Sequence, residues 1–145
     1  MTDLRGNFAE YEQQMPKYII LTNSNEVVRI SPERMAYISS DGNYSSMVLT
    51  DGEKHVFSFN LATFEKILEQ QLESEAQTLI RLGKRLIINE RYIYYINISK
   101  QQITLSDISF PAKFTLKASK EALRTLKAEL EDGIKLSNLK TTTNT

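Results

Sequence analysis

Cysteine is absent from this chain, which excludes disulfides, thiolate metal sites and a cysteine nucleophile together. Histidine occurs once, as His55, so a multi-histidine metal centre is excluded as well. No apolar run approaches the roughly 18 residues of a membrane span. The opening segment, MTDLRGNFAEYEQQMP, lacks the apolar stretch of a secretory signal. A cytoplasmic protein with no membrane association is the simplest expectation. Glycine is sparse: five residues stand apart at positions 6, 42, 52, 83 and 133, and none opens a phosphate-cradling loop ahead of a helix. Asp41-Gly42-Asn43 has turn chemistry, but the ligand spacing and terminal glutamate of a calcium loop are missing. His55 follows a turn on a strand-like segment with no orienting partner near it in sequence, which is poor ground for acid–base catalysis. An enzyme is therefore not expected, and no cofactor is implied. The sequons at Asn43 and Asn97 carry no meaning in a cytosolic chain.

What is present fits one domain. The chain has 145 residues, 41% hydrophobic and 25% charged, an ordinary globular composition. A chain of this size buries on the order of 70% of its unfolded surface and can hold a core without staples. The formal net charge is zero, but the charge is unevenly distributed. Residues 1–76 carry 6 Lys and Arg against 12 Asp and Glu, whereas residues 77–127 carry 10 against 3. Because local field rather than global charge steers a charged partner, the basic segment points toward a polyanion.

Residues 1–17 read as a polar leader and 131–145 as a flexible tail ending in KTTTNT. The body between them, 18–130, is mostly strand. Residues 18–22 and 26–30 flank Asn23-Ser24-Asn25 as a hairpin. Ser31-Pro32 starts one helical turn, with Ser31 as cap. Strands follow over 35–39, 44–50 and 54–59, with turns at Asp41-Gly42-Asn43 and Asp51-Gly52. Asn60 caps a helix over 61–72 whose Leu61, Phe64, Ile67, Leu68 and Leu72 share one face. Apolar segments 79–82 and 86–88 flank a basic joint, and strands follow over 92–98, 103–105 and 114–116. A second amphipathic helix spans 118–130, with Leu123, Leu126 and Leu130 inward. About nine strands and two short helices make a mainly β, β-rich α+β domain with helices on a face or edge.

Three polar segments stand out: Ser39 to Ser45, Arg81-Leu82-Gly83-Lys84-Arg85, and Lys117-Ala118-Ser119-Lys120. Each alone has an ordinary explanation, as a hairpin turn, a solvated basic turn and a helix cap. Lys120 opposes the dipole at a helix start, which an anion outside the helix would explain. The excess of positive charge ties the last two segments together.

In this order the elements resemble the LytTR-type DNA-binding domain family over roughly residues 18–130. The resemblance rests on Met35 to Tyr44, on Val48-Leu49-Thr50-Asp51-Gly52 and on the helix from Leu61. It rests also on Leu79 to Asn89, which looks like the family's Phe-x-Arg-x-His-Arg-Ser-x-x-Val-Asn, on Tyr92-Ile93, and on Ala118-Ser119-Lys120, which looks like its Ser-Arg. The resemblance implies elongated antiparallel β-sheets with two short flanking helices, and DNA binding by loops rather than by a recognition helix. Carried over by position, the base-contacting candidates are Asn43 or Tyr44, Lys84 with Arg85, and Lys120. Arg81, Lys117 and Ser119 complete the DNA-binding set, with Arg81 and Asn89 read as structural or phosphate-facing. The sequence departs from the family at Gly83, Lys84, Arg85 and Lys120, which stand where the family has His, Arg, Ser and Arg. Lysine lacks the fork by which arginine reads guanine.

The expectation is a stand-alone bacterial transcriptional regulator, homodimeric on repeated half-sites of double-stranded DNA. Its leader is too short for a receiver or membrane sensor, so its signal would come from a sensor or regulator protein, a small ligand or expression level. The alternative is a LytTR-like protein-interaction module that antagonises a related regulator, favoured by Gly83 and the lost arginines.

Overall fold

The structure, a computed structural model, describes residues 18–72 and 78–143. The leader assigned to residues 1–17 lies outside the described residues. Ten strands and two α-helices occur among those described, and three antiparallel sheets hold the strands.

β1 (Ile19–Thr22) and β2 (Val27–Ile30) form a two-stranded hairpin. Its turn is set by Asn23, whose Oδ1 accepts the N–H groups of Asn25 and Glu26 at 2.9 and 2.8 Å, as an Asx-type turn requires. A 3₁₀ turn, Pro32–Arg34, follows. Ser31 precedes it without a side-chain capping bond, contrary to the sequence expectation. The Arg34 N–H donates instead to the Ser31 backbone carbonyl at 3.0 Å, and the proline occupies a position where no N–H is needed.

The central sheet has the order β5-β4-β3-β7-β6. Its strands are β3 (Met35–Ser40), β4 (Ser45–Leu49), β5 (Lys54–Phe57), β6 (Leu79–Leu82) and β7 (Leu86–Asn89). β7 is buried along its whole length, and its side chains alternate between two cores, as the pleat dictates. Ile87 joins one core, whereas Leu86 and Ile88 join the other. The first core lies under the β1–β2 hairpin and α1 (Leu61–Leu72). Asn60 caps α1, its Oδ1 accepting the Thr63 N–H at 2.9 Å. Leu61, Phe64, Leu68 and Leu72 are buried, with Ile67 partly so, and Phe57, Phe59 and Phe64 form a ring cluster with centroids 5.3–5.9 Å apart. The Gln71 amide closes the junction, exchanging bonds of 2.8 and 2.9 Å with the backbone of Ile20.

The second core lies on the opposite face. It is covered by β8 (Ile93–Asn97), β9 (Gln102–Leu105) and β10 (Phe114–Lys117), ordered β10-β9-β8, and by α2 (Lys120–Thr143). Leu123 and Leu126 of α2 are buried there, and Leu130 packs partly. α2 is longer than the sequence suggests: it continues through residues 131–143, assigned above to a tail, so the second helix is not short. Gly133 costs the helix about 1 kcal/mol relative to Ala but does not stop it, and the Lys127–Glu131 pair, one turn apart, supports the outer face.

Candidate nucleic-acid interface

The strand register brings the polar loops to one end of the molecule. Ser39 pairs with Leu86, and the Ser40 N–H donates to the Arg85 carbonyl at 2.9 Å. The loop after β3 therefore lies beside the turn before β7. In that loop Asp41 Oδ1 accepts the Tyr44 N–H at 3.1 Å, the Ser40 hydroxyl oxygen accepts the Gly42 N–H at 3.1 Å, and Gly42 takes a φ of 115°. Asn43 and Tyr44 are left exposed at its tip.

The β6–β7 turn is held from within. Gly83 has a φ of 71°, the left-handed region that favours glycine. A Cβ added there would lie 3.7 Å from the Cβ of Ala122, an ordinary contact, so conformation rather than close packing calls for this glycine. The Arg81 guanidinium donates from Nε to the Gly83 carbonyl at 2.9 Å and from Nη2 to the Lys84 carbonyl at 3.1 Å. Its Nη1 binds the Glu65 carboxylate of α1. The turn thus presents Lys84 and Arg85 to solvent.

The third element is the entry into α2. Ser119 is its cap: its Oγ accepts the Ala122 N–H at 3.1 Å and its carbonyl accepts the Leu123 N–H at 3.0 Å. Lys117, Ser119 and Lys120 are all exposed. A groove of about 930 Å³ joins this entry to the β6–β7 turn. Ile80, Leu82, Leu86, Ala118 and Leu126 supply apolar walls, and Lys84, Arg85 and Lys117 supply cations. Gln101, in the β8–β9 turn, also lines it with a φ of 55°, and its carbonyl accepts the Ala118 N–H at 3.1 Å. Gln101 is not among the site residues expected from the sequence. The available signal was Lys100-Gln101 falling inside the basic segment.

The structure therefore gathers Lys84, Arg85, Lys117 and Ser119 around one groove, places Lys120 at its edge, and sets Asn43 and Tyr44 on the adjoining loop. Asn89 stands apart from this surface. It is 1% exposed, and its amide nitrogen donates to the carbonyls of Pro32 and Met35 at 3.3 and 3.0 Å. Its Oδ1 accepts the Arg91 N–H at 3.1 Å. Of its two sequence readings, the structural one holds.

Ion pairing divides the cations. Arg34 pairs with Asp51, Arg91 with Glu33, Arg81 with Glu65 and Lys127 with Glu131. Lys84, Arg85, Lys117, Lys120 and Arg124 have no carboxylate partner among the described residues, and neither do Arg29, Lys54, Lys66, Lys100 and Lys113, so it is the position of the first group around the groove that sets it apart. Two acidic residues, Glu121 and Glu129, also line the groove. Among the described residues no cluster of three His, Asp or Glu could hold a metal ion, and no helix is long and apolar enough to cross a membrane.

A strand-rich domain with loop-borne cations at one end fits the class of nucleic-acid-binding modules. The chain belongs to the LytTR family, for the sequence pattern of the LytTr DNA-binding domain matches residues 25–131. Among solved structures it is similar to a LytTr DNA-binding domain from Bacillus cereus, with a TM-score of 0.54 at 14% identity, over 80% of this chain and 98% of that one. At that identity the likeness speaks for the fold. No curated protein matches the chain.

Proposed function

We propose that this protein is a sequence-specific transcriptional regulator that grips double-stranded DNA through its loops rather than through a helix. In this reading it acts in the cytoplasm as a homodimer on repeated half-sites and answers to another protein, to a small ligand or to its own expression level. It performs no catalysis. Asn43 or Tyr44, Lys84 with Arg85, and Lys120 meet the duplex, with Lys117 and Ser119 beside them. The observation that carries this reading is the convergence of four unpaired cations with an exposed Asn-Tyr tip on one end. Charges left without carboxylate partners are free to displace counterions from phosphates.

A second reading, a module that docks another regulator, draws on the apolar walls of the groove. Binding titrations separate the two. The wild type, Lys84→Ala and Lys120→Ala are titrated at two salt concentrations, on a duplex selected from a random pool and on an unselected one. A phosphate contact weakens both duplexes alike and lowers the salt slope by roughly one per lysine. A base contact weakens the selected duplex alone, by about 1–3 kcal/mol. The phosphate outcome is expected for Lys120. If neither substitution alters binding to any duplex, this surface is not the DNA surface and the docking reading takes its place.

A further inference from the structure

We infer that Arg81 and Glu65 are positioning residues for DNA recognition: together they hold the Gly83–Lys84 turn in the shape that presents Lys84 and Arg85 to the duplex. The inference rests on the DNA-binding reading of that turn and adds to it a part played by α1, which lies on the other face of the sheet.

The geometry follows from the pleat. On β6, Leu79 belongs to the core under α1, while Ile80 and Leu82 belong to the core under α2. Arg81 shares the face of Leu79 and so reaches α1, although it also counts among the residues that line the groove. From there it reaches Glu65 with Nη1 and turns back to the carbonyls of Gly83 and Lys84 with Nε and Nη2. One planar guanidinium thus engages a carboxylate and two successive turn carbonyls, through all three of its nitrogens. An isolated exposed ion pair contributes little. Here the carboxylate does something different: it fixes the orientation of a side chain that otherwise has many rotamers. β6 is the edge strand of its sheet, so no further strand supports the turn from that side. The two carbonyls belong to the residue with positive φ and to the first exposed lysine. Those are the positions whose disorder would misplace the lysine most directly. Three of the five Arg81 N–H groups are committed within the protein, so its part in this inference is to hold the turn rather than to neutralise a phosphate.

The test exploits a conflict of sign. Glu65→Gln removes a negative charge from a DNA-binding protein, which by long-range electrostatics alone strengthens binding. Positioning predicts the reverse: weaker binding to the selected duplex, on the order of tenfold for loss of a charge-assisted bond, with the salt slope of the wild type. Arg81→Gln should weaken binding similarly at an unchanged slope. Arg81→Lys keeps the charge but not the fork, so it should resemble Arg81→Gln. Glu65→Gln added to Arg81→Gln should have no further effect. Amide hydrogen exchange without DNA should show faster exchange at Gly83, Lys84 and Arg85 in all three single variants, while circular dichroism retains the fold. Tighter or unchanged binding by Glu65→Gln overturns the inference. A slope lowered by one in Arg81→Gln also overturns it, because Arg81 would then touch phosphate itself. If the wild type binds no duplex at all, the DNA reading fails and the inference with it. The exchange measurement distinguishes that case by showing whether the clamp still orders the turn.

Discussion

Asn89, which the sequence left as structural or phosphate-facing, serves as structural glue. Its amide satisfies two carbonyls on one side of a chain reversal and an N–H on the other, joining the Pro32–Arg34 turn to the 3₁₀ turn Glu90–Tyr92. Asn89→Ala strands those groups in a buried site, so it should lower stability by about 1–3 kcal/mol, read by urea unfolding. Tyr92 performs the same joining one turn on. Its hydroxyl donates to the Glu33 carbonyl, and its ring packs edge-on against Phe110 at 4.8 Å. Burial pushes its phenol above the usual value of 10.0, because the phenolate is poorly solvated there. A raised pKa means that the neutral form stabilises the fold. That contribution is complete below the unfolded value and is lost as pH rises through the folded one. Melting temperature should therefore fall above about pH 10 more steeply in the wild type than in Tyr92→Phe. Tyr37, whose phenol burial also raises, remains in both proteins and supplies the residual slope.

Among the elements, the caps and turns other than Ser31 were the most legible in sequence, because each rests on bonds local to the chain. Asn60, Ser119, Asp41-Gly42 and Asn23 all act within three residues of themselves. The extent of α2 was not legible. Residues 131–134 are all exposed, and Gly133 with the polar KTTTNT ending reads as the end of a helix. The partners of Arg81 were hidden for a different reason, since Glu65 lies sixteen positions away and only tertiary folding brings it near. The Ser119 cap allows fold and function to be separated. Ser119→Ala should cost about 1 kcal/mol. Ser119→Asp keeps the cap and suits the helix dipole, so thermal stability should hold. The new carboxylate beside Lys117 and Lys120 should nevertheless weaken binding to every duplex, and unchanged DNA affinity would remove this helix start from the contact surface. α1 is the converse case. It packs through Phe64 and Leu68 and presents Lys66, Glu69, Gln70 and Gln71, a poor face for a groove. Footprinting of the bound protein should leave that face unprotected.

At the scale of the whole molecule, zero net charge conceals a polarity that the two-faced central sheet makes spatial. The acidic N-terminal half supplies α1 on one face. The basic segment supplies the groove and the start of α2 on the other. At physiological salt the Debye length is about 8 Å, so the response to a DNA partner depends on where a charge sits and not on the total. Two substitutions make the same change in net charge from the two faces. Glu121 lines the groove in the first turn of α2, while Glu69 is exposed on α1. Glu121→Gln removes a carboxylate next to the unpaired lysines and should tighten binding to an unselected duplex several-fold at low salt. The gain should shrink as salt rises through the screening range. Glu69→Gln should leave binding unchanged near 0.15 M salt. Titrating both proteins across one salt series tests the polarity directly. Equal effects would mean that the duplex senses only net charge, and an effect confined to Glu69→Gln would place DNA on the α1 face.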